Sequence, residues 1–416
     1  VKFGGRIEES FENERYTARQ VDYSSVLAMP YDMFISGYDS GAVNKLVLWG
    51  AKSPKSMDMT AFSREEYVKA LENNTMAEVI SKVLYPADDH IDGKRLRLKQ
   101  QYLLVSASLQ SILQSHLKEY RTLDNLADKV AIHINDTHPA LCVPELMRLL
   151  IDDYGYGWDE AWDITGKTLA YTNHTVMSEA LERWSESLFR EQLPRVYQIV
   201  CEINRRLLEQ LNGVYPGDIP KIEYMAVIAH GEIRMANLCL ACCHKINGVS
   251  QLHSDILKNS IFRDYYQIGK DKFTNVTNGI AYRRWLCQSN PELTALLTDL
   301  IGDSFVRDAA QLEKLMKFHN NKKVLEDLET VKRHNKIRLS NYIAQANGIK
   351  VDPDSLFDVQ IKRLHEYKRQ LLNVLHIMYL YNQLKANPSM DIPPRTFIFA
   401  AKASSGYFMA KQIIRL

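Results

Sequence analysis

The chain has 416 residues, of which 46% are hydrophobic and 25% charged, a composition typical of folded globular proteins and unlike that of disordered ones. Its 52 Lys and Arg residues nearly balance its 50 Asp and Glu residues, and a net charge of +2 argues against a dedicated nucleic-acid-binding protein. The length predicts two domains, because one domain usually has about 100–200 residues.

The first part of the chain predicts strands and helices in succession. Short β-like runs alternate with turns over residues 1–50, and apolar residues at helical spacing predict helices over 63–82 and 94–120. Three segments then follow the order strand, polar loop, helix, with strands predicted at 129–134, 168–171 and 225–229. This alternation predicts a parallel sheet, in which ligands bind at the loops after the carboxyl ends of the strands.

Polar residues follow the first two of these strands. Asp136 and His138 come after the first strand, and His174 comes after the second. Asn135 and Asp136 fit equally well as caps of a helix that begins at Pro139, and a lone histidine is usually structural. A site for a sugar or another polar ligand and a purely structural role both remain open for these loops.

The last part of the chain predicts a second α/β unit. Residues 290–350 are helical and charged, and strands are predicted at 355–360 and 395–400, each followed by a helix. The helix predicted over 367–385 is apolar on most sides, which predicts that it is buried. Two strand–helix patterns separated by a helical stretch predict an α/β protein with two Rossmann-like domains that face a cleft.

A basic run is the strongest local pattern, and we call residues 362–369 the basic segment. It contains Lys362, Arg363, Lys368 and Arg369 at the point where a predicted strand leads into a helix. Cations near a helix N-terminus oppose the helix dipole, which favours anions there. A bound anion offsets that cost, so the pattern favours a phosphate site over a solvated basic surface.

Two other loops carry weaker patterns. Asn278-Gly279 predicts a turn near the domain junction. The acidic loop over 85–93, which includes Asp89, does not have the spacing of a known metal-binding loop. We therefore interpret it as a surface or gating loop, and we predict no metal site.

The six cysteines are sparse and irregularly spaced, which predicts a reducing, cytoplasmic compartment rather than a disulfide-rich secreted protein. Cys239 and Cys242 lie in an apolar helix without a second cysteine pair. We interpret them as buried hydrophobic residues rather than zinc or redox ligands. No apolar run approaches the length of about 18 residues that a membrane span needs.

Five motifs occur together in one order, and by them the chain resembles the α-glucan phosphorylase family, which includes glycogen, starch and maltodextrin phosphorylases. The motifs are residues 135–139, residues 171–175 with 179 and 182–184, residues 278–280 with 283–285, residues 357–370, and Lys402 with Gly406 and Tyr407. The resemblance covers essentially the whole chain.

The resemblance implies a glycosyltransferase-B fold, with an active site between two Rossmann-like domains that are both incomplete in this chain. It implies phosphorolysis of terminal α-1,4-linked glucose from glycogen or maltodextrin by inorganic phosphate, which yields glucose 1-phosphate with retained configuration. The implied cofactor is pyridoxal phosphate, which acts through its phosphate group, and the implied assembly is a homodimer with contacts through the helix over 63–82.

The resemblance also divides the chain. Residues 1–280 correspond to the latter part of the N-terminal, glucan-side domain, 281–350 to a helical junction, and 351–416 to the start of the C-terminal, phosphate-side domain. The family's Gly-rich phosphate loop and the lysine that binds the cofactor are expected outside this chain. The chain alone is therefore expected to be inactive.

The phosphate-side residues take their roles from the resemblance. Arg363 resembles the clamp on the substrate phosphate, Lys368 a contact to both phosphates, and Lys362 a contact to the cofactor phosphate. In the family, residues matching His365 and Tyr367 line the same pocket. Trp285 resembles a residue that packs near the cofactor.

The sugar-side residues take theirs in the same way. His174 and Asn278 resemble partners of the glucose 6-hydroxyl, and the His174 carbonyl is expected to face the reacting sugar. Asp136 and His138 resemble the loop that supports this side of the site. Asp89 lies in a segment that resembles the mobile gate over the active site, at a position where many members carry Asn.

Two hypotheses from other classes compete with this one. The chain could be an inactive glucan-binding or structural module, or it could belong to a nucleotide-sugar glycosyltransferase of the same fold. The second alternative is disfavoured because the basic segment suits bare phosphate and no sequence pattern predicts a nucleobase pocket.

Overall fold

The computed structural model describes residues 1–12 and 15–416 and shows a mixed α/β fold with parallel strands. The chain divides into two compact units, Val1–Asn278 and Gly279–Leu416.

The first unit contains strands β1–β13 and helices α1–α12. The strands are β1 (Lys2–Phe3), β2 (Arg6–Glu12), β3 (Arg15–Val21), β4 (Ser24–Ser25), β5 (Leu27–Ser36), β6 (Val43–Lys52), β7 (Ile132–Asn135), β8 (Leu169–Asn173), β9 (Arg183–Ser185), β10 (Ile228–Ala229), β11 (Glu232–Arg234), β12 (Lys245–Gly248) and β13 (Phe273–Asn275). The helices are α1 (Met59–Ser63), α2 (Tyr67–Lys82), α3 (Ile91–Tyr120), α4 (Leu126–Lys129), α5 (Cys142–Arg148), α6 (Trp158–Thr168), α7 (Glu186–Gln192), α8 (Pro194–Val214), α9 (Ile219–Met225), α10 (Met235–Cys242), α11 (Gln251–Ile256) and α12 (Arg263–Ile268).

The second unit contains the remaining elements. These are α13 (Pro291–Ile301), α14 (Lys322–Asn347), β14 (Leu356–Ile361), α15 (Gln370–Ala386), β15 (Arg395–Ala400) and α16 (Phe408–Arg415).

A parallel sheet lies at the centre of the first unit, with strand order β13-β12-β8-β7. The predicted strands at 129–134 and 168–171 are confirmed as β7 and β8, which pair in parallel from Ile132 opposite Leu169 to Asn135 opposite Thr172. The two remaining parallel strands, β12 and β13, were not predicted. Each contains one apolar residue, Ile246 and Phe273, so neither shows an apolar pattern in the sequence.

The prediction of a third parallel strand at 225–229 is wrong, because this segment does not belong to the parallel sheet. Only Ile228 and Ala229 are extended there, and β10 pairs antiparallel with β11. His230 and Gly231 between them both have positive φ angles, of 54° and 73°, as a two-residue hairpin turn requires. The chain therefore reverses at this point instead of crossing over.

Helices α2 and α3 differ in their starts from the predicted ones. Asp58 caps a separate short helix, α1. Helical structure is then interrupted at Glu65, where φ is positive, before α2 begins. The third helix begins at Ile91 rather than near residue 94, because the His90 ring accepts a hydrogen bond from the Gly93 N–H at 3.0 Å. Histidine is an unusual N-cap, which explains the late predicted start.

The core of the first unit is packed from α3, α5, α8 and α10 against the parallel sheet. Fully buried members include Leu98, Leu109, Leu113, Val143, Leu146, Tyr171, Val200, Leu238, Cys239 and Cys243. The interpretation of Cys239 and Cys242 as buried hydrophobic residues is confirmed, and burial raises the pKa of the Cys242 thiol well above its ordinary value.

In the second unit β14 and β15 pair in parallel over six residues, and both were predicted. The helix after β14 begins at Gln370, later than predicted, because Glu366–Lys368 form a 3-10 turn and Arg369 has a φ of 63°. The prediction that this helix is buried is wrong: Leu372 is 61% exposed, and only Gln370 is buried. An all-apolar helix is buried only where other elements surround it, which the described part of this unit does not do.

No helix in the described ranges 1–12 and 15–416 combines the length and the apolar character that crossing a bilayer needs.

Candidate functional site

The loops after β7 and β8 are joined by a hydrogen bond between side chains. His174 Nε2 and Asn135 Oδ1 are 2.5 Å apart, and both residues are exposed. The two loops meet because their strands are neighbours in the sheet. The structure therefore brings together polar groups that the sequence placed only on two successive loops.

Asp136 shapes the first of these loops rather than capping a helix. Its backbone has a φ of 66°, its N–H donates to the Thr172 carbonyl at 3.0 Å, and its Oδ1 accepts from the Thr137 N–H at 2.6 Å. Helix α5 begins only at Cys142 and has no side-chain cap. The capping interpretation is wrong, and Asp136 instead fixes the turn that leads to His138.

His138 is half-buried and lies between two cavities. Its ring packs edge-on against Tyr85, with the centroids 6.3 Å apart. One cavity, of about 340 Å³, is mostly apolar and includes Trp49; the other, of about 640 Å³, includes Asp88 and Glu182. His138 thus forms part of the wall of both cavities.

An arginine side chain of α3 forms a hydrogen bond with the acidic loop. Asp88 accepts a hydrogen bond from Arg97 at 2.8 Å, and the same guanidinium donates to Glu182 at 2.9 Å. Asp89 next to it is exposed, and among the described residues its carboxylate makes no ion pair. The loop is therefore anchored at Asp88 while Asp89 faces solvent.

Asn278 is exposed at the end of the loop after β13. Its N–H donates to the Val249 carbonyl at 3.1 Å, and Val249 follows β12. Asn278, His174 and Asp136 therefore all follow carboxyl ends of strands in one parallel sheet, the edge at which ligands bind in such sheets.

One residue beneath this edge, His253, has no sequence pattern that would identify it as part of the site. His253, in α11, contacts both the Asn173 side chain and the Val249 backbone. The spacing Ser250-x-x-His253 indicates only a helix start, in which Ser250 Oγ accepts from the His253 N–H at 3.1 Å. Nothing in the sequence shows that its ring reaches two strands.

In the second unit, the basic segment follows β14, and its four cations form no ion pair among the described residues. Lys362, Arg363 and Arg369 are exposed, Lys368 is half-buried, and none of the four has a carboxylate within 4.0 Å among residues 1–12 and 15–416. The backbone is fixed nonetheless: the Lys362 N–H donates to the Ala400 carbonyl at 3.1 Å. A rigid segment with four unpaired cations is suited to an anion.

The position of these cations relative to the helix differs from the prediction. Only Arg369 stands at the N-cap of α15, and the other three precede the helix. The Gln370 side chain, which is buried, donates to the Arg363 carbonyl at 3.3 Å and so ties the start of the helix to the loop. Opposition to the helix dipole therefore applies mainly to Arg369.

His365 and Tyr367 form an aromatic cluster with Tyr407 beside the basic segment. The His365 ring lies 4.2 Å from the Tyr367 ring and 5.1 Å from the Tyr407 ring, centroid to centroid. The Tyr407 hydroxyl donates to Glu366 at 2.7 Å, and burial together with this carboxylate raises the pKa of Tyr407. Glu366 thus accepts a hydrogen bond from Tyr407, and within the part of the chain that the structure describes it makes no ion pair with Lys368.

Trp285 lies in the turn Arg283–Gln288 and is 65% exposed. Within the described part of the chain its indole makes no hydrogen bond and no ring contact. The structure therefore presents this indole as a free aromatic surface of the second unit.

Comparison with known proteins gives one consistent result. The family model described as carbohydrate phosphorylase matches residues 1–416. The chain is 45% identical over 427 aligned positions to the brain form of glycogen phosphorylase from Bos taurus, and 44% identical to the muscle form from Homo sapiens. Each alignment covers all of this chain and 50% of the relative, so the chain spans about half the length of these curated relatives.

Proposed function

This chain belongs to the carbohydrate phosphorylase family, and from that premise we propose that the whole protein cleaves terminal α-1,4-linked glucose from glycogen or a maltodextrin with inorganic phosphate. The product would be glucose 1-phosphate. One observation carries the proposal: four cations in eight residues, Lys362, Arg363, Lys368 and Arg369, have no carboxylate partner among the described residues. Such a segment suits a substrate that is a small, multiply charged anion.

The fold that we propose is of the glycosyltransferase-B type, with two Rossmann-like domains. We assign 1–280 to the glucan-side domain, 281–350 to a helical junction and 351–416 to the start of the phosphate-side domain. The parallel strands β7, β8, β12 and β13, and the parallel pair β14 and β15, support this assignment.

Arg363 and Lys368 are the proposed catalytic cations. The planar guanidinium of Arg363 can donate two parallel hydrogen bonds to phosphate oxygens, which orients the substrate phosphate for attack at the anomeric carbon. The Lys368 ammonium adds a compact positive charge, which stabilises two phosphate groups held close together. His365 and Tyr367 would line this pocket, since their rings pack beside the same segment.

The residues present also fit the cofactor that family membership implies. Lys362 and Lys368 are unpaired cations among the described residues, and Trp285 offers an exposed aromatic face, as the phosphate and ring of pyridoxal phosphate require. Bound pyridoxal phosphate would supply a phosphate group able to exchange a proton with the substrate phosphate. Lys362 would hold that group, and Lys368 would contact both phosphates.

We assign the sugar to the carboxyl edge of the first unit's sheet. His174 and Asn278 are proposed partners of the glucose 6-hydroxyl, and the His174 carbonyl would face the reacting carbon, where its dipole stabilises developing positive charge. Asp136 and His138 would support this loop, and Asp89 would face the sugar from the gating loop. The exposure of Asn278, His174 and Asp89 supports a role in binding.

We further propose a cytoplasmic homodimer. The apolar side chains of α2 support a subunit contact there, because Val68 is 88% exposed and Met76 is 66% exposed. Isolated apolar residues on a surface are common, but several on one helix, which here also include Leu71 and Val79, favour an interface. Six free cysteines, four of them buried, agree with a reducing compartment.

The test is a phosphorolysis assay on the whole protein with pyridoxal phosphate supplied, glycogen or maltodextrin as donor, and glucose 1-phosphate as the measured product. Product that requires both glucan and phosphate is expected. Transfer of glucose from a nucleotide sugar, without any phosphorolysis, would contradict the proposal. The chain of residues 1–416 assayed alone is expected to form no product, and turnover by it would contradict its assignment as an incomplete part of the enzyme.

A further inference from the structure

His253 lies at the point where three strands of the parallel sheet end. It is 9% exposed, in the first turn of α11. Its Nδ1 accepts the Val249 N–H at 3.2 Å, and its Nε2 lies 3.1 Å from Asn173 Oδ1. Val249 follows β12 and Asn173 ends β8, so one imidazole connects two neighbouring strand ends.

The directions of these hydrogen bonds are fixed by their partners. A backbone N–H can only donate, so Nδ1 of His253 accepts and the proton resides on Nε2. Asn173 Oδ1 also accepts from the Thr175 N–H at 3.0 Å, while Asn173 Nδ2 donates to the Tyr171 hydroxyl at 3.0 Å. The ring is therefore neutral with one tautomer, and burial lowers its pKa, which favours this neutral form.

Each of the two connections continues to a residue that we propose binds the sugar. Asn173 directly precedes His174 in the chain. Val249 accepts the Asn278 N–H through its carbonyl at 3.1 Å, and its own N–H is the group bound by His253. Both proposed partners of the 6-hydroxyl are therefore one step from the same imidazole.

The surroundings leave His253 little freedom to move. Its neighbour Ser254 accepts a hydrogen bond from Asn275 at 2.7 Å, which joins α11 to the end of β13 as well. Helix α11 also lies close to β12. A Cβ added at Gly248 of β12 would lie 2.4 Å from the hydroxyl of Ser254 in α11. The first turn of α11 is thus packed against three strand ends.

We propose that His253 is a positioning residue, which holds the loops of His174 and Asn278 in register for one sugar hydroxyl. We call His253 with its partners Asn173 and Val249 the His253 clamp. It acts on the substrate only through these loops. This inference rests on the proposed function for the identity of the sugar, but the clamp itself is a property of the first unit alone.

Two substitutions separate the two halves of the clamp. His253→Asn keeps an oxygen near the position of Nδ1 and so retains an acceptor for the Val249 N–H, but it loses the donor to Asn173. His253→Gln places its amide N–H₂ near the position of Nε2 and so retains that donor, but it loses the acceptor for Val249. The two variants are therefore matched controls for each other.

The first measurement is hydrogen exchange of single backbone amides in the whole protein, which needs no activity. In His253→Asn the Thr175 amide is expected to exchange about tenfold faster, because its acceptor Asn173 Oδ1 is no longer held by the His253 ring, while Val249 stays protected. In His253→Gln the reverse is expected, because the Val249 N–H loses its acceptor. Unchanged exchange at both amides in both variants would overturn the clamp. Equal loss of protection throughout the sheet would indicate general unfolding and would overturn it too.

The second measurement compares glucose 1-phosphate with its 6-deoxy analogue as donors for glucan extension. Both variants are expected to lose about tenfold of the wild-type preference for the 6-hydroxyl, while the KM for phosphate, measured in the direction of phosphorolysis, is unchanged. A changed amide exchange with an unchanged preference would overturn the positioning role. A wild-type protein with no glucan activity would instead refute the proposed function, while the exchange result would still decide whether the clamp exists.

Discussion

A hydrogen bond of 2.5 Å joins His174 Nε2 to Asn135 Oδ1, two residues that are 39 positions apart in the chain. The bond orients an exposed imidazole through a neighbouring amide, so the ring needs no partner from the core. If the His174 loop binds glucose, the position of this ring affects catalysis more than it affects folding.

Asn135→Ala is accordingly expected to lower kcat/KM for glucan about fivefold to tenfold, the effect of one lost hydrogen bond, with little change in stability. Asn135→Asp should lose less, because it keeps an acceptor for the ring. Initial-rate kinetics with varied glucan provide the measurement, and Asn44→Ala, at an exposed position on β6, is the control. Equal activity of the Ala and Asp variants would show that the bond plays no part.

Arg363→Ala is expected to raise the KM for phosphate more than about tenfold, since a charge-assisted bidentate contact is lost, while the KM for glucan changes less than about twofold. Arg363→Lys should lie between the two, because lysine keeps the charge but not the planar fork. Kinetics with each substrate varied separately test this, with Lys411→Ala in α16 as the control. A parallel loss for both substrates would rule out the assigned role.

Glu202 provides a pH-dependent contribution to stability. Hydrogen bonds from Arg205 and then from Arg206 lower its pKa from the ordinary value of 4.5 to about 2. The folded state therefore binds the proton less readily than the unfolded state, so the stabilisation is complete above pH 4.5 and is lost as the pH falls toward 2.

Glu202→Gln should thus reduce the free energy of unfolding by about 0.5–1 kcal/mol at pH 7. The difference from wild type should shrink as the pH is lowered from 4.5 toward 2. Urea denaturation at pH 7 and at a series of lower pH values measures it, and Glu329→Gln on the exposed side of α14 is the control. A difference that stays constant with pH would contradict the assignment.

Glu145 is fully buried in α5 and forms hydrogen bonds at 2.6–2.9 Å with Tyr102, Ser106 and Arg148. Arg148→Met leaves this carboxylate without its cation and is expected to destabilise the protein by about 3–5 kcal/mol. Adding Glu145→Gln removes the unpaired buried charge and should restore part of the lost stability. Denaturation of both variants tests the coupling, and a double variant no more stable than Arg148→Met would contradict it.

Local sequence patterns predict many of the strands and helices. The elements that they do not predict depend on contacts between residues far apart in the sequence. The strands β7, β8, β14 and β15 carry enough apolar residues to be recognised, and the polar ends of β7 and β8 mark the loops that the structure places at one edge of the first unit's sheet. The strands β12 and β13 contain one apolar residue each, Ile246 and Phe273, and so show no pattern. Their place is set by pairing: β12 pairs with β8, which is far away in sequence, and β13 pairs with β12.

The errors have the same origin. The left-handed φ angles of His230 and Gly231 are set by the tertiary structure, and the continuous apolar run over 225–229 resembles a parallel strand. The composition of α15 predicts burial, whereas burial depends on what surrounds the helix. His253 was missed because its role consists wholly of contacts with residues 4 to 80 positions away.

The close approach of β12 to α11 limits which sequences this protein can tolerate. A side chain at position 248 would meet not only the Ser254 hydroxyl but also the Ser254 backbone Cα and N at 2.9 Å, which cannot rotate aside. Trimming Ser254 to alanine would therefore not make room. In a library randomised at this codon and selected for activity, glycine is expected to be the only residue recovered.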